Sequence, residues 1–415
     1  MSNRKGTWQL GVLLLAVAGQ NVAAAMEHEH LAEVEGLDFA TLLNAAMQQA
    51  PQILEAPVRE QQASDYAAAG KRLLAGRPNV IYNLIDDRWR DNLGLRQQEF
   101  GLQLPLWRPG ERRDAQAMGA HYEEQVGLWS TYLRWNLAGR LRSALMDLES
   151  AEAQLALEEA ASLNAQALHR ATERMFEAGS LARLDTMQTR NMLLQQQQKV
   201  LDADARMVDA ERNFRVLTGL DRRPASAFTE TRSAEDAVSA THPLLDYLNS
   251  EVTVARDHVQ QMLLTNKGSP QLTIGTHSER GDRFQATTGS VLVQLSVPLG
   301  SKNVVNSQTS AARRLQVDAE VALRQNRIEL QRLVHEAEHA LFTIEQQLPL
   351  AEEQADLAEQ RRAMAQGAFE AGELTLAQVL SSVQDAIAAR QALSNMHLQR
   401  LRLISEYNQY LGVLP

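Results

Sequence analysis

The chemically most specific pattern in the chain is HEAEH at residues 335–339. Two histidines one helical turn apart, with a glutamate beside the first, form the arrangement by which zinc proteases hold the metal and activate water. The match covers only five residues, and no third ligand is evident around it. We therefore expect His335 and His339 to lie on an ordinary helix surface, with weak metal contact as the alternative.

A second histidine-containing stretch, MEHEH, occupies residues 26–30. His28 and His30 could bind a cation, although such a stretch is more typical of a mobile chain end. The rest of the chain contains no nucleophile–base set, phosphate loop or paired-carboxylate pattern. The sequence thus predicts no catalytic residue and no cofactor. Its formal net charge of -10 argues against nucleic acid as a partner, because that partner requires a clustered basic face.

The first 25 residues have the order of a secretory signal peptide. Arg4 and Lys5 precede an apolar run at 10–18, and small residues follow at 23–25. No later segment approaches the roughly 18 apolar residues of a membrane helix, so we expect the exported chain to be either soluble or a membrane β-barrel. The low aromatic content of 5%, together with plentiful Ala, Leu, Gln, Glu and Arg, favours long helices over a compact mixed core.

Two ten-residue stretches of the chain are similar, FEAGSLARLD at 176–185 and FEAGELTLAQ at 369–378. The same spacing of 193 positions separates Pro105 from Pro298. A spacing that holds through prolines and glycines indicates a duplicated unit. The predicted divisions are a signal peptide at 1–25, a first repeat at 26–220, an irregular linker at 221–240 and a second repeat at 241–415.

Within each repeat the hydrophobic period changes from helical to strand-like and back. The long helical stretch of about 66 residues would form a rod of about 100 Å. Gly179 and Gly372 suit the end of such a rod, because a helix end favours a residue that tolerates a left-handed conformation. The predicted order is a helix (37–76 and 236–267), a β-hairpin (79–106 and 271–299), a long helix (111–176 and 303–369), a tip turn (177–185 and 370–378) and a returning helix.

One chain would supply four strands, and an open sheet in lipid would leave its edge hydrogen bonds unsatisfied. Closure therefore requires more than one chain. Two chains would give eight strands and an interior filled by side chains, whereas three would give twelve strands and room for a lumen. The strand pattern alone does not choose between these assemblies.

From residue 26 onward the chain resembles the TolC-type outer-membrane efflux channel family. The residues that carry the resemblance are the Ala-Pro and His-Pro dipeptides near the start of each repeat, PLWRPGERR at 105–113, SVPLG at 296–300, LPLAEE at 348–353 and both tip turns. PLWRPGERR looks most like the branch that serves heavy-metal pumps for cobalt, zinc and cadmium or for copper and silver.

This resemblance implies a mainly α fold that ends in a membrane β-barrel. Three chains would form a homotrimer, whose twelve-stranded barrel in the outer membrane of a Gram-negative bacterium continues into an α-helical periplasmic tunnel. The implied role is that of the passive exit duct of a tripartite pump, with heavy-metal cations as candidate substrates. The implied partners are a periplasmic adaptor, an inner-membrane proton-driven transporter of the RND type and outer-membrane lipid.

In the family, the tip turns dock the adaptor and constrict the periplasmic mouth. Carried onto this chain, adaptor docking is assigned to Gly179, Ser180, Leu181, Gly372, Glu373 and Leu374. The mouth is assigned to Asp185, Gln378, Ser381 and Asp385. Family members often have acidic residues where this chain has Gln378 and Ser381, so an acidic ring here would depend on Asp385.

Four aromatic residues near the predicted strands could form the two aromatic girdles of a membrane barrel, namely Tyr82, Trp89, Trp107 and Phe284. Aromatic residues on strands also occur in soluble cores. Two other functions therefore remain open at this point. One is a soluble periplasmic coiled-coil adaptor or scaffold, which also uses long helical hairpins, and the other is an exported metalloprotease built on HEAEH.

Overall fold

The computed structural model describes residues 30–299 and 302–414, and helices dominate them. The predicted signal peptide and His28 lie outside the described residues. The helices are α1 (Phe39–Gln49), α2 (Ala56–Lys71), α3 (Glu111–Glu177), α4 (Arg183–Thr218), α5 (Pro243–Thr265), α6 (Lys302–Glu370) and α7 (Leu376–Leu411), with a short 3₁₀ turn (Pro51–Glu55) before α2.

Two small sheets accompany the helices. The strands are β1 (Ala32–Val34), β2 (Asn79–Asp86), β3 (Arg96–Pro105), β4 (Arg222–Pro224), β5 (Gln271–Arg280) and β6 (Thr288–Ser296). β2, β3, β5 and β6 form one antiparallel sheet in that order, whereas β1 and β4 form a short parallel pair. In the part of the chain that the structure describes, the larger sheet is open and has four strands.

The order of elements is the same in the two halves, as the repeated sequence predicted. A helical segment, a β-hairpin, a long helix and a returning helix occur first as α1–α2, β2–β3, α3 and α4, and then as α5, β5–β6, α6 and α7. α3 has 67 residues and α6 has 69, so each forms a rod of about 100 Å. The prediction of tandem units built from long helices and a hairpin is confirmed.

The rods are held together by narrow apolar stripes. α3 lies along α4, and α6 lies along α7. On α3, Leu133, Leu137, Leu141 and Leu145 are buried at intervals of four residues, which places them on one helix face. They belong to a cluster that also includes the fully buried Phe214 of α4. Pairwise packing of helix stripes is therefore the main cohesive interaction along the rods.

The segment between the two repeats is tied to both of them. Arg142 of α3 is buried, and its guanidinium donates to Glu230 of this segment at 3.0 Å and to the side-chain oxygen of Gln409 on α7 at 2.5 Å. A buried ion pair requires partners for both charges, and the second repeat provides part of that shell. The same segment contributes β4, which pairs with β1. It therefore connects the first and second repeats physically.

His242 caps the N-terminus of α5, where the C-terminal end of α7 approaches it. The residue is fully buried, and its Nδ1 accepts a hydrogen bond from the backbone amide of Leu244 at 3.2 Å. Its ring packs edge-on against Trp135, and a side chain at Gly412 would collide with it. Burial disfavours the charged imidazolium and lowers the pKa of His242 to about 4.

No helix in the described part of the chain has both the length and the apolar character needed to cross a bilayer.

We predict that His242 makes folding sensitive to acid. Because its pKa is about 4 in the folded chain and 6.5 as a free group, the unfolded chain binds more protons between these pH values. Stability should therefore fall as the pH drops through this window, by up to about 3 kcal/mol. Denaturant midpoints between pH 7 and pH 4 should show a smaller loss for His242→Asn, which keeps a helix-capping oxygen.

The control for this prediction is His397→Asn, because that histidine is half-exposed on α7. If His242→Asn and His397→Asn have identical stability profiles to the native chain between pH 7 and pH 4, His242 is not the acid-sensitive group.

Candidate functional site

The register of the four-stranded sheet separates its residues into two chemically different faces. Val80 of β2, Leu102 of β3, Ile274 of β5 and Val293 of β6 are directly opposite one another in turn. Opposed residues of neighbouring strands place their side chains on the same side. We call this side the apolar face; it consists of Val80, Tyr82, Leu84, Phe100, Leu102, Leu104, Leu272, Ile274, Thr276, Val291, Val293 and Leu295.

The apolar face is open to its surroundings in the single chain. Nine of its large hydrophobic side chains are exposed, from 44% for Leu84 to 77% for Val291. Soluble monomers rarely expose a continuous apolar surface of this kind. β3 and β5 have ten residues each and β6 has nine, which is the length a tilted strand needs to cross the hydrocarbon layer. The face is therefore suited to contact with lipid.

The opposite side of the sheet, here called the polar face, carries a histidine between two carboxylates. Nδ1 of His277 lies 3.2 Å from Glu99 Oε1, and Nε2 lies 3.3 Å from Glu279 Oε2. Asn83 donates to the other oxygen of Glu99 at 3.5 Å. In β2, β3, β5 and β6 this face contains no lysine or arginine. Its fixed charges are therefore carboxylates.

Among residues 30–299 and 302–414, no further strand pairs with the outer edges of this sheet. β2 pairs only with β3, and β6 pairs only with β5. Each edge therefore presents backbone N–H and C=O groups that remain available to another strand. The sheet thus has an exposed apolar face and two edges that can each pair with a strand of another chain.

The structure places the predicted girdle aromatics in different settings. Tyr82 lies on the apolar face directly opposite Phe100, which the sequence reading did not select. Trp89 and Phe284 are both 98% exposed in the two hairpin turns. Trp107 is half-buried between the end of β3 and the start of α3, and its indole donates to the carbonyl of Arg72 at 3.1 Å. Strand register would have identified Phe100, because it places this ring beside Tyr82.

Trp107 also lines a cavity of about 400 Å³ between α2, α3 and α5. Ala115, Met118 and Leu264 form apolar parts of the cavity lining, and Arg72, Glu111, Asp114 and Asp257 form charged parts of it. Trp107 thus packs against the helices at the base of the sheet, whereas Tyr82 extends from the apolar face.

At the other end of the rods, the two predicted tip turns have the same backbone conformation. Gly179 has φ of 76° and Gly372 has φ of 78°, both in the left-handed region. The amide of Ser180 donates to the carbonyl of Met175 at 2.9 Å, and the amide of Glu373 donates to Ala368 at 2.8 Å. These bonds satisfy carbonyls at the end of each long helix. Glycine is required here because other residues adopt this conformation at a cost.

The two tip turns are joined by one apolar cluster. Phe369 of α6 is only 2% exposed and packs with Leu168 of α3 and Val379 of α7. Leu181 of the first turn and Leu374 of the second pack against the same cluster. The predicted docking residues therefore fall into two groups. The two leucines hold the turns together, whereas the glycines, Ser180 and Glu373 are exposed.

Of the predicted mouth residues, Asp185 and Gln378 have equivalent structural roles. The carboxylate of Asp185 accepts from the amide of Ala182 at 3.2 Å, at the start of α4. The side-chain oxygen of Gln378 accepts from the amide of Thr375 at 3.0 Å, at the start of α7. Either side chain satisfies a free amide of a helix N-terminus. The substitution of an acid by glutamine in the second repeat thus preserves the cap.

The other two mouth residues lie further along α7. Ser381 is exposed, and Asp385 forms an ion pair with Arg361 of α6. This pair crosses between the rod and its returning helix. The charge of Asp385 at the predicted mouth is therefore neutralised by Arg361 of the same chain.

The histidines of HEAEH are exposed on the long helix α6. The glutamate between them, Glu336, is bound by Arg332, and Glu338 pairs with Arg232 at 3.4 Å. Within residues 30–299 and 302–414, no three His, Asp or Glu side chains are grouped so that they could hold a metal ion. The motif therefore gains no third ligand from the fold.

His30, the last residue of MEHEH, contacts α4. Its ring lies 3.1 Å from both Glu211 and Asp204. Burial on its own would lower the pKa of His30, but its hydrogen bonds to these two carboxylates outweigh that effect and raise the pKa. The arrangement favours an ion pair that fixes the start of the described chain.

Solved structures share this architecture. VceC, an outer membrane protein of Vibrio cholerae, has a TM-score of 0.72 at 14% identity over 90% of this chain and 96% of its own. CusC, whose crystal structures concern folding and transmembrane channel formation, has a TM-score of 0.70 at 15% identity over 90% of this chain and 92% of its own. The CmeC outer membrane channel of Campylobacter jejuni has a TM-score of 0.70 at 15% identity over 90% and 85%.

No family model matches the sequence, and no curated protein matches it. The structural similarities extend over almost the whole chain. The chain therefore has the fold of these outer-membrane channels, as its resemblance to the TolC-type family implied.

We predict that Phe369 is required for the packing of the two tip turns against each other. Phe369→Ala removes a side chain that is 2% exposed and should cost about 3–5 kcal/mol locally. Amide exchange at residues 366–380 should therefore become faster. Phe342→Ala is the matched control, because Phe342 lies on the same helix and is 63% exposed. Equal exchange in the two variants would show that the apolar cluster does not stabilise the turns.

Proposed function

We propose that the chain is one subunit of an outer-membrane exit duct in a tripartite efflux pump. The observation that carries this proposal is the four-stranded sheet, which has an exposed apolar face, a polar face and two open edges at one end of long helical rods. A membrane wall requires apolar side chains toward lipid and polar ones toward water. Similarity to outer-membrane channels supports the same role.

The proposed assembly is a homotrimer. Open edges on β2 and β6 favour pairing between neighbouring chains, since closure alone removes unsatisfied edge groups within a membrane. Three chains would give a barrel of twelve strands, large enough for a lumen, whereas eight strands leave an interior filled by side chains. The rods of the three chains would then continue the passage as a helical tunnel in the periplasm of a Gram-negative bacterium.

The proposed partners act at the opposite end. The exposed parts of the two tip turns, around Gly179 and Gly372, would dock a periplasmic adaptor. Because one apolar cluster joins both turns, adaptor contact at either turn can affect the other. An inner-membrane proton-driven transporter would supply energy and substrate, so the chain itself would conduct passively and would catalyse no reaction.

Cations are the proposed substrates, and heavy-metal cations are the specific candidate class. The motif PLWRPGERR at 105–113 supports this class through its resemblance to the heavy-metal branch. The charge of the polar face is compatible with it, because Glu99 and Glu279 are present and lysine and arginine are absent there. Negative side chains that line a pore favour the passage of cations.

The proposed gate lies at the mouth formed by Asp185, Gln378, Ser381 and Asp385. Two of these residues cap the returning helices, and Asp385 binds Arg361 across the α6–α7 pair. Such contacts favour one arrangement of the helices over another. An adaptor that binds an open arrangement more tightly would shift the population toward it.

The apolar face should be required for membrane insertion. Leu102→Lys places a charge on this face and should cost about 2–4 kcal/mol near the middle of the bilayer. Gln103→Lys is the matched control, because the next residue of the same strand points to the polar face. We expect Leu102→Lys to leave the outer-membrane fraction and Gln103→Lys to remain there after a high-salt wash. Extraction of the native chain by salt alone would instead favour a soluble scaffold.

The mouth residues should control the closed state. Replacing Asp185 and Asp385 together by Ala removes an acid in the first turn of α4 and an exposed ion pair, which contribute about 0.3–1 and 0.2–1 kcal/mol respectively. Resting conductance in planar bilayers should therefore rise several-fold. Asp202→Ala with Asp209→Ala, two exposed sites on α4, gives the same charge change away from the tip. Unchanged conductance in the mouth variant would remove these residues from the gate.

A further inference from the structure

The apolar face ends in a row of charged residues at the hairpin-turn end of the sheet. Asp86 of β2 lies opposite Arg96 of β3, and Arg96 lies opposite Arg280 of β5. All three occupy the same side of the sheet as Tyr82 and Phe100, because each is an even number of residues from its neighbour on that face. We call Arg96 and Arg280 the arginine pair.

Side-chain polarity increases in steps toward the arginine pair. The row of Tyr82, Phe100 and Thr276 is followed by a mixed row, in which Gln98 and Ser278 lie beside Leu84 and Gly289. The arginine pair comes next, about 7 Å further along the strands. A membrane wall that emerges from hydrocarbon into the headgroup layer requires this sequence of apolar, polar and charged rows.

The carboxylates around the arginine pair are already engaged. Asp86, which faces Arg96, is bound by Arg88 at 2.7 Å. Asp87 accepts from the backbone amides of the first hairpin turn, and Asp282 accepts from those of the second. Within residues 30–299 and 302–414, neither arginine of the pair has a carboxylate oxygen within 4.0 Å of its guanidinium. Neither arginine thus forms a close ion pair with a described residue, and Asp86, which is bound by Arg88, is the carboxylate that interacts with Arg96 over a longer distance.

Like charges directly opposite each other on neighbouring strands are destabilising. The Nε of Arg280 donates to the carbonyl of Gly94 at 3.2 Å, which leaves the terminal nitrogens of its guanidinium for another acceptor. A phosphate group presents several oxygens and suits the planar fork of arginine. An anion shared by Arg96 and Arg280 would replace their repulsion with two charge-assisted contacts.

We propose that the arginine pair binds the phosphate group of an anionic membrane lipid at the outer end of the sheet. The inference rests on the proposed function, because it requires the apolar face to lie in lipid. The lipid is favoured over free phosphate since its acyl chains would cover the adjacent Tyr82 and Phe100, which are both 59% exposed. A closed assembly of three chains would carry three such sites.

The test is lipid binding by the full-length chain, purified in non-ionic detergent and freed of bound lipid. Native mass spectrometry would measure the affinity for diphosphorylated lipid A, with phosphatidylcholine and inorganic phosphate as separate arms. We expect tight binding of lipid A, weak binding of phosphatidylcholine and none of free phosphate. The double variant Arg96→Gln with Arg280→Gln should bind lipid A at least about 10-fold more weakly, and the affinity of the native chain should fall with salt.

Two further variants separate this effect from misfolding and from bulk charge. Arg96→Lys with Arg280→Lys keeps both charges and should retain most of the affinity. Arg206→Gln with Arg212→Gln removes two exposed arginines of α4 and should bind as the native chain does. Equal lipid A affinity for the native chain and the Arg96/Arg280 double Gln variant would overturn the proposal, as would an equal loss in the α4 control.

The failure of the proposed function would look different. A native chain that forms no conducting channels in bilayers fails as a duct, whatever its lipid affinity. A chain that conducts but binds lipid A independently of Arg96 and Arg280 keeps its function and loses only this site.

Discussion

The unpaired backbone groups along β2 and β6 are the constraint on which the other features depend. Within one chain the four strands end in two open edges, and such edges are tolerated in lipid only when another strand pairs with them. In the proposed duct the exposed apolar face would contact lipid and the polar face would contact water. A closed wall made from several chains satisfies the edges and both faces simultaneously, and no arrangement of the single sheet does so.

The long helices connect the sheet to the tip turns, so association at the sheet would also affect the tips. Because α3 and α6 are each about 100 Å long, chains brought together by their strands also bring their tip turns together. Along the rods the cohesive residues form narrow stripes, such as Leu137 and Leu141 on α3. At the tips, one cluster around Phe369 joins both repeats. In the proposed assembly, closure at the sheet and contact between the tips would therefore depend on the same helices.

Much of this architecture could be predicted from the sequence, because the duplicated tip motif keeps its spacing through Pro105 and Pro298. The two faces of the sheet could not, since NVIYNLIDD at 79–87 alternates imperfectly and only the partner strands reveal that Tyr82 faces Phe100. The equivalent roles of Asp185 and Gln378 at the helix starts could not be predicted either, because an acid and an amide accept the same hydrogen bond there. Likewise, the partner of Arg142 lies 88 residues away, beyond any local pattern.

Disulfide formation between strands of different chains tests closure most directly, because the native sequence contains no cysteine. One cysteine would replace Asn83 on β2, and a second would replace Ser290, Leu292 or Gln294 on β6 in turn. Two strands lie between these edges within one chain, a separation of about 14 Å that a disulfide cannot span. Closure predicts that at least one pairing links chains into a species of three on a non-reducing gel. If every pairing leaves single chains in the membrane, the sheet is not closed by its neighbours.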